Sequence, residues 1–139
     1  MASGAVAMAS GAVAMAEAVF ARYLALIGEL HRRRVVLVAG TDVTVPGHSL
    51  HREIELYVKA GMTAMEAIQA ATIVPARFMR LDKELGTVEP GKRADLVVLD
   101  GDPLADVSNV RRTRLVVARG RAYDSGALWK LGGFRAVGP

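Results

Sequence analysis

No cysteine occurs in this chain, which excludes disulfide bonds and thiolate metal sites and is compatible with a reducing cytoplasm. Aromatic residues make up only 5% of the chain. Stacking platforms for single-stranded nucleic acid are therefore sparse, and no nucleic-acid recognition motif is present. Charge is missing from the first sixteen residues, Glu17 being the first ionisable side chain. Histidine is limited to His31, His48 and His51, and no two of these form a His-x-His pair.

What remains is apolar and basic. Hydrophobic residues are 52% of the 139, so this is not the composition of a disordered chain, and the length suits a single core. The net charge of +4 comes from arginine, at Arg32, Arg33, Arg34, Arg111, Arg112, Arg114, Arg119 and Arg121. These are read as a solvated surface, or as contacts for acidic segments of a partner.

The segment MASGAVA stands at residues 1–7 and again at 8–14. It has no basic n-region, as a signal peptide would. It is too short and too broken by glycine and serine for a membrane span, which needs roughly 20 apolar residues. Residues 1–16 are expected to be a low-complexity leader or an artificial remnant, able to extend the next helix because alanine favours helix.

Apolar spacing predicts a helix from Glu17 to Arg33, through Val19, Tyr23, Leu26, Ile27 and Leu30, with His31 a solvent-facing residue at its end. Val35 to Ala39 is a continuous apolar run without alternation, which marks a strand buried on both faces. Val43 to Ser49 read as a loop, Leu50 to Ala60 as a helix closed by Gly61. Thr63 and Glu66 are spaced as a capping box for a helix to about Thr72, and Pro75 opens a short helix through Met79. Strands follow at Asp95–Leu99 and Leu115–Ala118, and Arg119-Gly120 is a tight turn into Arg121–Tyr123. Trp129 to Pro139 show no pattern.

Two segments carry a family signature: VVLVAGTD with PGHSLHREIELYVKAGMTAMEAIQAATIVPARFMRL, and LGTVEPGKRADLVVLDGDPLADVSNVRRTRLVVARGRAYD. In this order they resemble the C-terminal part of amidohydrolase-superfamily enzymes, in the imidazolonepropionase-like and Xaa-Pro dipeptidase-like branch. The resemblance implies an α/β fold: the end of a metal-dependent hydrolase (β/α)8 barrel, its last strand and the helices after it, plus the C-terminal strands of a small β-sandwich. Residues 17–81 would be the barrel end, 82–124 the sandwich portion and 125–139 a tail.

The resemblance also implies chemistry. The family hydrolyses C–N bonds with water activated by divalent metal, often zinc. Its strand-eight aspartate serves the metal site and the proton transfer, and Asp42 matches it. A (β/α)8 site lies at the C-terminal ends of the strands, where Asp42 would stand. The other family ligands have no counterpart here: a His-x-His, a bridging Lys or Glu, and two further histidines. The chain alone is therefore expected to hold no metal and to be inactive, since a catalytic zinc typically has three protein ligands. His51, and with it His48, are the substrate-pocket candidates. A weak Asp42/His48/His51 metal site is a further possibility, and helix capping or surface packing of His51 an alternative. Glu53 and Glu55 read as solvated helix carboxylates, with Glu55 and Lys59 an ordinary helix pair.

Two functions thus stand open: a piece of a C–N hydrolase, or a noncatalytic module that self-associates or binds a partner. The expected partners are a second copy or the missing part of the barrel, with a small-molecule substrate only in a complete enzyme. Nucleic acid and membrane are not expected, and a cytoplasmic location is.

Overall fold

The structure is a computed structural model that describes residues 2–42, 45 and 48–133, with the side chains of 2–10 outside that description. The described part of the loop expected at Val43 to Ser49 is Val45 and the start of the next helix.

Helix α1 spans Ala2–Arg32, so the alanine-rich leader continues the helix expected from Glu17. It ends where Arg34 adopts a left-handed φ of 60°, with Val35 N–H donating to Leu30 C=O and Arg34 N–H to His31 C=O. Those two bonds close the last turn, although a left-handed cap favours glycine. Helix α2 (Ser49–Lys59) ends at Ala60, and Gly61 turns the chain out with φ 109°. Thr63 and Glu66 form the expected reciprocal cap on α3 (Ala64–Ala70). Helix α4 (Ile73–Phe78) carries Pro75 in its first turn, where the missing N–H costs no helix bond.

The run Val35–Ala39 is not a strand. Its backbone is extended, but the sheet of this molecule lies elsewhere, and a strand exists only where another strand completes its hydrogen bonds. It is tied instead by single contacts: Ala39 N–H to Ala70 C=O at 2.9 Å and Tyr57 O–H to Val38 C=O at 3.1 Å. Leu37 and Ala39 pack on the core while Val35, Val36 and Val38 stay exposed, Val36 by 70%.

The sheet is antiparallel, in the order β1 (Leu96–Leu99), β2 (Thr113–Ala118), β3 (Arg121–Asp124). Arg119 and Gly120, both at positive φ, make the expected turn between β2 and β3. Asp95 accepts the Arg119 N–H at 2.7 Å and so pins that turn to the residue before β1. A short 3-10 helix, Val107–Arg111, fills the β1–β2 connection and is capped by Asp106. The tail is not patternless: Asp124 caps α5 (Ser125–Leu131), accepting the Ala127 N–H. Residues 134–139 lie outside the described residues.

The core is small. Ile54, Tyr57, Met62, Ala67, Ala70 and Val110 are buried together, with Ile27, Leu37, Val58, Ile68 and Val107 packed on them. Helices α2 and α3 supply most of it, and Val110 brings the 3-10 helix of the β region onto α2. Among the described residues no large side chain is completely buried. Several large apolar side chains of α1 are exposed: Val13, Met15, Val19, Phe20, Tyr23 and Leu26. The leader, expected to be too short to span a membrane, is part of a helix whose Gly11–Arg32 portion is long and apolar enough to do so by length and composition.

Candidate functional site

The site expected from sequence centres on Asp42. It stands on an exposed bend just past the extended Val35–Ala39 segment, and no hydrogen bond or ion pair ties it to another described residue. Gly40, two residues earlier, donates its N–H to Glu53 at 3.1 Å. The same Glu53 carboxylate oxygen lies 3.1 Å from the Tyr57 hydroxyl. Glu53 is therefore not the solvated helix carboxylate expected; it anchors the backbone next to Asp42.

His48 is the N-cap residue of α2, but its side chain makes no capping bond. Its Nδ1 lies 3.0 Å from Nη1 of Arg111, which comes from the 3-10 helix. His51, one turn on, is half-buried. Burial, and then the nearby Arg111 charge, lowers its pKa below the ordinary histidine value, with His48 adding to this and Glu55 opposing it.

Glu55 is the hub of this face. Arg111 grips it with two bonds, Nε to Oε1 and Nη2 to Oε2, the latter at 2.9 Å. Arg52 adds a third contact at 3.1 Å. The Arg111 pair holds the Glu55 carboxyl below its ordinary range, and Glu55 in turn raises the arginine. Glu55 is thus neither solvated nor paired with Lys59: its partner lies 56 residues away. Sequence spacing could not reveal this, because only the fold brings the 3-10 helix beside α2. Arg111 is likewise an internal partner and not free basic surface. Arg32 and Arg33, by contrast, pair with Glu29 on their own helix.

His31 is not simply solvent-facing. Its Nε2 is 3.6 Å from the Glu66 carboxylate of α3. Both residues line an open groove of about 410 Å³ beside Val35, Leu37, Met62 and Ala70. Asp42 does not line that groove.

Among the described residues no three His, Cys, Asp or Glu side chains come together as a metal site. Asp42, His48 and His51 do not form the weak cluster considered from sequence. The donors among the described residues do not fit a catalytic divalent metal, which needs about three protein ligands.

A small antiparallel sheet joined to a helical layer, with Asp42 exposed just past an extended apolar segment, defines an α/β unit. The sequence model of the amidohydrolase family matches residues 6–122. The chain belongs to the amidohydrolase family, whose members generally use a divalent metal. The imidazolonepropionase of Picrophilus torridus is 46% identical over 87 residues, covering 60% of this chain and 22% of the relative. Adenine deaminase 2 of a Jannaschia species is 39% identical over 70 residues, covering 50% of this chain and 11% of the relative. Among solved structures, a Xaa-Pro dipeptidase with bound methionine in its active site has a TM-score of 0.66 at 34% identity, covering 72% of this chain and 25% of that one. Molinate hydrolase has a TM-score of 0.65 at 35% identity, with 70% and 25% covered. The chain thus spans a quarter or less of the length of these relatives.

Proposed function

We propose that this chain is the C-terminal portion of a metal-dependent amidohydrolase that hydrolyses C–N bonds of amides, cyclic amides or dipeptides. The observation that carries this reading is the family match over residues 6–122, which contains the first signature segment and all but the last two residues of the second, in order. The similar proteins include a Xaa-Pro dipeptidase and an imidazolonepropionase, which supports C–N hydrolysis as the class. In this reading Val35–Ala39 takes the place of the last barrel strand and Asp42 is the aspartate that serves the metal, zinc, and the proton transfer. His51 and His48 face the substrate pocket of the complete enzyme, which works in the cytoplasm on a small molecule.

Among the described residues Asp42 is joined by no metal cluster, so hydrolysis by this chain alone is not part of the proposal. The test is direct. The purified chain, with and without added zinc, is assayed against amide, ester and dipeptide substrates. No turnover above background is expected. Zinc-dependent turnover that disappears in Asp42→Ala would overturn the inactivity and reveal a site assembled by the chain itself.

A second reading is a noncatalytic module that self-associates. The observation favouring it is the exposure of Val35, Val36 and Val38 beside the exposed apolar residues of α1. Burial of such area stabilises association by roughly 25 cal/mol per Å².

A further inference from the structure

We propose that Arg111 and His48 form an acid-released latch between the β region and helix α2. Arg111 leaves the 3-10 helix between β1 and β2 and reaches α2 at two points, the Glu55 carboxylate and the His48 ring. Only this cluster carries side-chain ion pairing between the 3-10 helix and α2 among the described residues. The other link there is apolar, through Val110 and Val107.

The two halves of the latch respond differently to protons. A guanidinium has donors only, so the Arg111–His48 contact at 3.0 Å requires His48 Nδ1 to accept, with the ring neutral and its proton on Nε2. Protonation of His48 places a second N–H, and a second positive charge, directly against Arg111. The bond is then lost and the pair repels. The Arg111–Glu55 pair survives, because Glu55 is held ionised by its two arginines. Acid therefore removes the His48 half of the latch and leaves the carboxylate half.

The surroundings strengthen this asymmetry. The charged and titratable groups around His48 are Arg111 from the 3-10 helix, and Arg52, Glu55 and His51 from α2. Asp106, at the start of the 3-10 helix, feels the Glu55 charge. Glu55 is already engaged by both arginines, so it offers a protonated His48 little compensation. His31 works in the opposite sense: protonation strengthens its contact with Glu66, between α1 and α3. A loosening in acid that localises to the α2–3-10 junction therefore points away from His31. His48 sits at the N-cap of α2 without capping it, so its ring is free to swing from Arg111 without unwinding the helix.

The experiment is amide hydrogen exchange on the full chain at pH 7.5 and 5.5, corrected for intrinsic exchange, with α3 amides as an internal reference. In the wild type, protection across residues 48–59 and 107–111 is expected to fall about tenfold relative to α3 at the lower pH, the scale of one charge-assisted hydrogen bond. His48→Asn keeps an acceptor near the Nδ1 position and does not titrate. It should lose clearly less than the wild type at the lower pH; the remainder is the part that half-buried His51 contributes, which a His48→Asn/His51→Asn chain should lack. Arg111→Gln should show low protection at both. A loss in His48→Asn as large as the wild type's would overturn the proposal, as would an Arg111→Gln chain protected like the wild type. Loss spread equally over α3 would mean global unfolding in acid and would overturn it as well.

Discussion

Gly28 of α1 lies so close to the Ala60 carbonyl at the end of α2 that an added Cβ would stand 2.4 Å from that oxygen. The contact is backbone against backbone, so no flexible side chain can yield. Gly28→Ala gains about 1 kcal/mol of helix propensity yet forces the two helices apart, which costs about 1–3 kcal/mol. A net lower urea midpoint is expected, with α1 losing exchange protection first. A midpoint equal to or above the wild type would show that α1 does not need this approach.

Tyr57 is buried in the core, and its hydroxyl reaches Val38 C=O and Glu53, each at 3.1 Å. One hydroxyl proton serves both acceptors. Burial, and then the Glu53 carboxylate, push the phenol up to about 12. Because the folded value lies above the unfolded one near 10, the stabilisation is complete below about pH 10 and is lost as pH rises towards 12. Ultraviolet titration of the folded chain should show Tyr57 ionising late, and Tyr57→Phe should remove that step. Tyr57→Phe should also cost about 1 kcal/mol, the net worth of one hydrogen bond.

His51 carries the opposite linkage. Its folded pKa lies below the ordinary value because burial and Arg111 disfavour the charged ring. The unfolded chain therefore binds more protons just below about pH 6.5, and stability contributed by the neutral ring is present above that pH and lost as pH falls towards the folded pKa. Urea midpoints measured from pH 8 to 5 should decline, and His51→Asn should flatten part of that decline. An identical slope in the variant would assign the acid sensitivity to other groups.

Self-association is expected through the exposed Val35–Val38 segment and the apolar face of α1. Sedimentation velocity should show the monomer giving way to dimer or larger species as concentration rises. Val36→Asp, at a position 70% exposed, should weaken association without lowering the unfolding midpoint. A compact monomer over a wide concentration range would defeat this. Vesicle flotation is the companion measurement, since Gly11–Arg32 has the length and hydropathy of a span; vesicle binding in place of self-association would assign the apolar face to lipid.

Local chemistry was readable along the chain wherever neighbours in sequence are the partners. The Thr63–Glu66 capping box, the Arg119-Gly120 turn and the strands on either side of it each depend on residues a few positions apart, and all are present. The short α5 went unrecognised although its signal, Asp124 before Ser-Gly-Ala, is local; Gly126 and the brief apolar run hid it. The two signature segments likewise marked the amidohydrolase family, because a family pattern is a property of order and spacing.

Pairing across the fold could not be read that way. The Val35–Ala39 run has the composition of a buried strand, yet strand formation depends on a neighbouring strand, and the described residues bring none to it. Glu55 had a plausible partner in Lys59 one turn away, but packing Val110 on α2 delivered Arg111 instead, with a fork of donors that matches a carboxylate better than a lysine does. Glu53 became a backbone anchor because Gly40 folds back beside it. Residue type and spacing marked the four earlier helices, the turns and the family of this chain, but not α5. The tertiary structure alone decided which charges meet, because such pairs are set by packing between elements far apart in sequence, and no local periodicity encodes that.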